Sequence, residues 1–248
     1  GVYTTLSIEN GNSVSRRREE LIELHTARLV RCILPIVCRE TSESLYENVR
    51  DYVVMCLDAV GIEVMSESPT CMVVIVLWVA LEGTTTGSHL KIERITMYVK
   101  EYTMKSIDGP NVACILGPPR KNPDIKDVLW MRDREYLEQL APPGAADVLL
   151  CTEHGDILEG LVTNLFVVVE NGDGSCVVQT APVDSGVLWG TMRHQVIGAC
   201  RHLSIPVEYR CPRMDDRHSW KEAFLTNSMR GVSPLTGMSC GKENVWGL

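Results

Sequence analysis

Four short segments of this 248-residue chain carry residue types that could do chemistry together. Lys126 stands in Asn122-Pro123-Asp124-Ile125-Lys126-Asp127, just after a proline turn and before an apolar stretch that reads as a helix. Partial burial there disfavours the ammonium form and lowers the pKa of the amine, which makes it a nucleophile able to form a Schiff base with a carbonyl. The plainer reading is a surface cation with its stem laid over apolar neighbours. Glu159 opens Glu159-Gly160-Leu161-Val162-Thr163-Asn164-Leu165-Phe166, a segment that should enter the core as a strand. A carboxylate entering a core needs a partner. A protonated pyridine nitrogen would serve, and the pair would keep such a ring an electron sink. A glutamate on the rim of a strand fits the same residues. In Gly186-Val187-Leu188-Trp189-Gly190-Thr191-Met192-Arg193 a glycine turn leads into a helix. The free backbone N–H groups there suit a phosphate. Thr226 and Ser228, at the end of Phe224-Leu225-Thr226-Asn227-Ser228, could add hydroxyl donors to the same anion. Taken singly, glycines before helices and hydroxyls at strand ends are common.

The elements that must position these residues follow from periodicity and turn chemistry. In the first half, alternation predicts a strand over 2–8, then a turn at Glu9-Asn10-Gly11-Asn12. Leu21, Leu24, Ala27 and Leu29 give a helix over 17–30. A second helix is expected over 45–60, with Ser44 as N-cap, Glu47 completing a capping box and Gly61 as its stop. The apolar, β-branched run 71–81 reads as a buried strand, and another strand is expected over 92–99. Residues 107–123 are dense in glycine and proline and read as a loop or linker, which places a domain boundary there. Beyond it come a helix over 127–140, strands over 147–152, 165–169 and 176–180, a helix over 191–203, and short strands over 207–210 and 223–226.

Composition narrows the function classes. A net charge of −8 argues against a protein that grips a nucleic-acid backbone. The run Arg16-Arg17-Arg18 reads as a solvated helix face. The run 71–81 is too short to span a bilayer as a helix. The ten cysteines form no CxxC pair and mostly sit in apolar runs, which points to a reducing compartment, cytoplasm or an organelle stroma or matrix, with neither disulfides nor zinc. The opening residues show no signal peptide, and the abrupt start in strand-like sequence suggests a missing upstream segment.

Taken in order, the four chemical segments resemble the class IV aminotransferases, the fold-type-IV pyridoxal-phosphate enzymes. These include branched-chain and D-amino acid aminotransferases and 4-amino-4-deoxychorismate lyases. Glu159-Gly160-x-x-Thr163-Asn164-x-Phe166 is similar to the central signature of the family, with Lys126 preceding it in the family's order. Leu188-Trp189-Gly190-Thr191-Met192-Arg193 is similar to its phosphate loop, with Trp189 where proline is usual. Glu222-Ala223-Phe224-Leu225-Thr226-Asn227-Ser228 is similar to its second phosphate segment, and His25-Thr26-Ala27-Arg28-Leu29 to a helix pattern whose arginine grips the phosphate. Residues 61–115 do not match the substrate loops expected of the family.

The resemblance implies an α/β (α+β) fold: a small N-terminal α/β domain over 1–110, a linker over 111–123, and a larger C-terminal β-rich pseudo-barrel domain over 124–248, with the cofactor in the cleft between. It implies pyridoxal 5′-phosphate carried by Lys126 as a Schiff base, with Lys126 also the catalytic base and acid and Glu159 on the ring nitrogen. The other implied cofactor-binding residues are Arg28, Asn164, Gly190, Thr191, Met192, Thr226, Asn227 and Ser228. A homodimer exchanging an amino group between an α-amino acid and an α-keto acid is the leading expectation. A lyase of the aminodeoxychorismate type, towards which Thr226-Asn227-Ser228-Met229-Arg230-Gly231 leans, and a catalytically silent member that binds a partner are the rivals.

Overall fold

The computed structural model describes residues 1–9, 14–36, 42–63, 70–84, 87–103, 109–240 and 243–247. It divides into two units, Gly1–Met104 with Ile125–Trp130, and Lys105–Asp124 with Met131–Leu248.

The first unit contains β1 (Val2–Glu9), α1 (Val14–Ile33), α2 (Ser42–Glu63), β2 (Thr70–Thr84) and β3 (Gly87–Glu101). The strands form an antiparallel sheet in the order β1-β2-β3. Over residues 71–77 every second residue of the central strand is buried: Cys71, Val73, Ile75 and Leu77. Val73, Ile75 and Leu77 pack with Leu6 of β1, with Ile22, Leu29 and Ile33 of α1, and with Leu45, Val49 and Val53 of α2. Burying each large aliphatic side chain contributes about 1.5–3 kcal/mol. The run 71–81 is therefore half-buried rather than wholly buried, because the helices cover one face of a three-stranded sheet. The second helix also differs from expectation. It starts at Ser42, so Ser44 lies inside it, and it runs through Gly61 to Glu63. An interior glycine costs a helix only about 1 kcal/mol, which the packing of Val49, Val53 and Val60 offsets. Arg18 pairs with Asp58 on the exposed side of the two helices. The side chains of Arg16 and Arg17, and the turn at 10–12, lie outside the described residues.

Residues 125–130 join this unit through backbone pairing with β1. The Tyr3 N–H donates to the Lys126 carbonyl at 2.9 Å and the Val128 N–H to the Gly1 carbonyl at 3.1 Å. An antiparallel bridge joins Val2 to Asp127 between them.

The second unit is β-rich. Its strands are β4 (Val112–Gly117), β5 (Val148–Cys151), β6 (Ile157–Gly160), β7 (Asn164–Glu170), β8 (Cys176–Thr180), β9 (Val207–Tyr209), β10 (Trp220–Asn227), β11 (Gly231–Leu235), β12 (Gly237–Cys240) and β13 (Glu243–Gly247). They run β11-β10-β7-β6-β5-β4-β12-β13, with β8 added to β7 and β9 to β8. The stretch 107–123, read as loop, thus holds a strand inside the sheet, because Ala113, Cys114 and Ile115 are buried between β12 and β5. The helix expected over 127–140 is two short ones, α3 (Leu129–Asp133) and α4 (Glu135–Leu140). Only Leu137 among their residues is buried, so little packing holds one straight helix together. The remaining helix, α5 (Thr191–His202), lies close to the span its periodicity predicts.

Strand β7 is buried on both faces. Leu165, Val167 and Val169 join Leu149, Ile157 and Leu225 in one core. Phe166 points the other way, with Ile197 and Cys200 of α5, and stacks on Phe224 at 5.0 Å between ring centroids. Among the described residues no helix is long and apolar enough to cross a membrane. Replacing the fully buried Phe166 by alanine should cost about 3–5 kcal/mol, read as a lowered midpoint in urea unfolding with an unchanged slope.

Candidate active site

The register of three strands sets out the site of the second unit. Glu159 on β6 pairs with Asn164 on β7, and Asn164 pairs on its other side with Thr226 on β10. Residues directly opposite across antiparallel strands share a face. The three therefore stand in one row at about 4.8 Å per strand, and all three are buried.

The Glu159 carboxylate is held at both oxygens. Oε1 accepts from Arg120 Nη1 at 3.4 Å, between side chains that are each 4% exposed. Oε2 accepts from the Asn164 amide at 3.2 Å and from the Leu188 N–H at 2.9 Å. The same Asn164 amide donates to the Leu188 carbonyl at 3.0 Å, which ties the 186–190 turn to the row. Gly190 adopts an ordinary extended conformation, but a Cβ there would collide with Asn164 Oδ1. Close approach, rather than backbone conformation, is what requires glycine. Sequence reasoning passed over Arg120, because it sits in the segment taken for a linker and meets its partner across 39 positions.

A second missed residue is Asp147. Its carboxylate accepts from the amides of Val148 (2.8 Å), Leu161 (3.2 Å) and Val162 (3.3 Å) and from the Thr163 hydroxyl (2.7 Å). It thereby fixes the 160–163 turn between β6 and β7. Burial pushes its carboxyl above the ordinary range, against the opposing pull of these donors. A Cβ on Gly160 would collide with both Thr163 and Asp147.

The phosphate-type segments lie on the same unit. No side chain caps the start of α5, so its first-turn amides, at Thr191 and Met192, are of the kind that serve anions. Thr191 is buried and Met192 half-buried. Arg193 instead pins α5 to the Ala181 carbonyl at 2.8 Å. The ring of Trp189 packs against that of His194, 4.9 Å between centroids. On β10 the Thr226 hydroxyl is buried without a hydrogen-bond partner among the described residues. The Asn227 side chain takes the amides of Met229 (3.0 Å) and Arg230 (2.7 Å) and so orders the turn into β11. Ser228 is half-buried beside it.

In the first unit, β1 and α1 position Lys126. Its backbone N–H donates to Cys32 Sγ at 3.2 Å, and its Nζ lies over the ring of the buried Tyr3, 4.6 Å from the centroid. Asp127 accepts from the Trp130 amide at 3.0 Å, the spacing that caps a helix start. His25 and Arg28 are buried on α1, and Thr4 Oγ1 lies 2.6 Å from His25 Nδ1. Burial, then the charges of Arg28 and Lys126, hold the imidazole pKa well below its usual value. The neutral imidazole therefore adds no charge beside the two cations.

The model of the family described as amino-transferase class IV matches residues 1–238. A protein of Thermotoga maritima named "Probable branched-chain-amino-acid aminotransferase" is 37% identical over 89 residues, which are 36% of this chain and 31% of that protein. The matched part thus spans about a third of the curated relative. The crystal structure of 4-amino-4-deoxychorismate lyase from Pseudomonas aeruginosa superposes with a TM-score of 0.69 at 17% identity, covering 100% of this chain and 85% of that one. The PLP-bound form of a hypothetical aminotransferase from Mycobacterium tuberculosis gives 0.63 at 16% identity, covering 99% and 82%. At these identities the two structures establish the fold.

Two outcomes follow from the geometry. Gly190→Ala should displace Asn164 and strip Oε2 of a donor, costing about 1–3 kcal/mol in urea unfolding. Gly198→Ala, where a Cβ meets nothing, should instead stabilise α5 by up to about 1 kcal/mol. His25 gives a pH dependence. The unfolded imidazole gains its proton near 6.5 and the folded one only below that. Its contribution is therefore intact above pH ~6.5 and is lost as the pH falls, by about 1.4 kcal/mol per unit of pKa difference. Thermal melts between pH 8 and 5 (roughly the histidine window) should show a steeper acid loss for the wild type than for His25→Gln.

Proposed function

The chain belongs to the class IV aminotransferase family, and from that premise we propose that it is a pyridoxal-phosphate enzyme moving an amino group from an α-amino acid to an α-keto acid. The observation that carries the reading is the row Glu159–Asn164–Thr226, which sets an ionisable carboxylate two strands away from a buried hydroxyl with no partner.

The family uses pyridoxal phosphate, and the residues present fit that group. A buried carboxylate suits its basic ring nitrogen. The Thr226 hydroxyl, the first-turn amides of α5 and Ser228 are donors of the kind a phosphate takes. Arg28, on α1 of the first unit, carries a guanidinium of the kind that can hold two phosphate oxygens. When bound, the cofactor supplies an aldehyde that condenses with amines and a ring that accepts the electrons released at the substrate α-carbon.

The chain's own residues do the rest. Lys126 provides the amine that holds the aldehyde carbon. Once released from the cofactor, the same amine would be the base and acid placed to move the proton of the substrate α-carbon. The Tyr3 ring beneath Nζ stabilises the cationic form of that amine between transfers. Glu159 orients the ring through its nitrogen. Asn164 and the Leu188 amide keep Glu159 in one orientation. Gly190, Thr191 and Met192 present backbone amides, and Asn227 holds the turn that carries Ser228. A homodimer working in the cytoplasm or an organelle stroma or matrix completes the proposal, supported by the family resemblance and by cysteines without CxxC spacing.

The test begins with pyridoxal phosphate added to the purified protein. A visible absorption band should appear, and borohydride should fix the cofactor to Lys126, as read by peptide mass spectrometry. Lys126→Ala should show neither. Turnover of an amino acid should then require a keto-acid acceptor. Pyruvate released from aminodeoxychorismate without an acceptor would make the chain a lyase. No band at saturating cofactor would sink the enzyme reading and turn attention to partner binding.

A further inference from the structure

Arg120 meets Glu159 from a stiff stretch of chain. It follows the end of β4 through Pro118 and Pro119, whose rings fix their own φ angles. It delivers Nη1 to within 3.4 Å of Oε1 between two side chains that are each 4% exposed. Arg193 also acts on Glu159 through its charge, while two further donors, from Asn164 and Leu188, are neutral and both reach Oε2. They fix the orientation of the carboxylate, whereas the Arg120 guanidinium, in contact with it, acts most directly on its charge.

We propose that Arg120 is a positioning residue for a proton: by holding Glu159 ionised, it keeps the proton shared between Glu159 and the cofactor on the ring nitrogen. The inference rests on the function proposed above. A carboxylate buried this deeply, with neutral donors alone, is driven towards its protonated form by desolvation. Meeting a pyridine nitrogen, it would keep the proton and leave the ring neutral. A guanidinium reverses the balance. Coulomb attraction falls with distance, so a cation touching one carboxylate oxygen stabilises the anion more than it repels a pyridinium hydrogen-bonded farther along the same group. The proton then rests on the ring, where it makes the ring the stronger electron sink. Arginine suits the task better than lysine. It does not give up its own proton to a buried carboxylate, whereas lysine readily shifts its pKa on burial.

The direct reading is nitrogen NMR of pyridoxal phosphate labelled with 15N in the ring and bound to the whole protein, from pH 6 to 9 (roughly the working range of such catalysts). The wild type should show a pyridinium signal throughout. Arg120→Met should still bind the cofactor but move the signal to the neutral-pyridine position, and Arg120→Lys should restore the pyridinium at neutral pH. A purely structural role would lower the melting temperature of Arg120→Met and leave the nitrogen signal in place, which would overturn the proposal. A neutral nitrogen in the wild type would overturn it without any variant, and Arg120→Gln serves if the methionine variant does not fold. A wild type that takes up no cofactor would bring down the proposed function and this inference with it. A wild type that binds, with an Arg120→Met signal unmoved, would bring down the inference alone.

Discussion

The donors around the site converge on one buried carboxylate, that of Glu159. An unpaired carboxylate at the burial of Glu159 costs several kcal/mol, and no single neighbour removes that cost. The strand register brings Asn164 opposite. The 186–190 turn brings the Leu188 amide. The proline-bound end of β4 brings the guanidinium of Arg120. Gly190 is small because Asn164 must come close to reach the carboxylate. A turn, a helix start and a strand end thus take their positions from the same group, although they are remote from one another in sequence.

Two carboxylates are buried around the β6–β7 connection, and the chain satisfies them in different ways. Asp147 receives three amides and a hydroxyl, all neutral, and burial still pushes its carboxyl upward. That arrangement fixes the shape of a turn, with the charge of Arg230 acting on it from farther away. Glu159 receives neutral donors and also the direct contact of a guanidinium. On Asp147 every hydrogen bond comes from a neutral group. A further contrast separates Asn227, whose oxygen is used up by two amides of its own turn, from Thr226, whose hydroxyl is not.

The parts of the fold that the sequence reveals are those with local causes. Periodicity marks α1, α2 and α5, and alternation with turn residues marks β1, β3, β7 and β8. Lys126, Glu159, Asn164 and Thr226 stand out because their types are chemical and their segments are ordered along the chain. Arg120 and Asp147 do not stand out, since their meaning lies in partners that only the folded sheet supplies. Strand β4 is hidden for a related reason. Its glycine- and proline-rich flanks suggest a loop, and its burial depends on β12, more than a hundred residues away in sequence (Gly237 opposite Val112). The misread helix over 127–140 fails in the opposite direction. Its local pattern is helical, but the tertiary packing that would keep it whole is missing.

The pairing of β1 with residues 126–128 has a consequence for how the protein is made. Strand β1 sits at the edge of its sheet, and its outer side is closed by the Tyr3–Lys126 and Val128–Gly1 backbone bonds. The Lys126 amide also reaches Cys32, 94 positions earlier. During synthesis β1 and β2 emerge, and can pair, before residue 126 leaves the ribosome. Through that interval β1 presents an open strand edge, a template for pairing with other chains. The segment that carries Lys126 is also the piece that shields this strand edge from its neighbours.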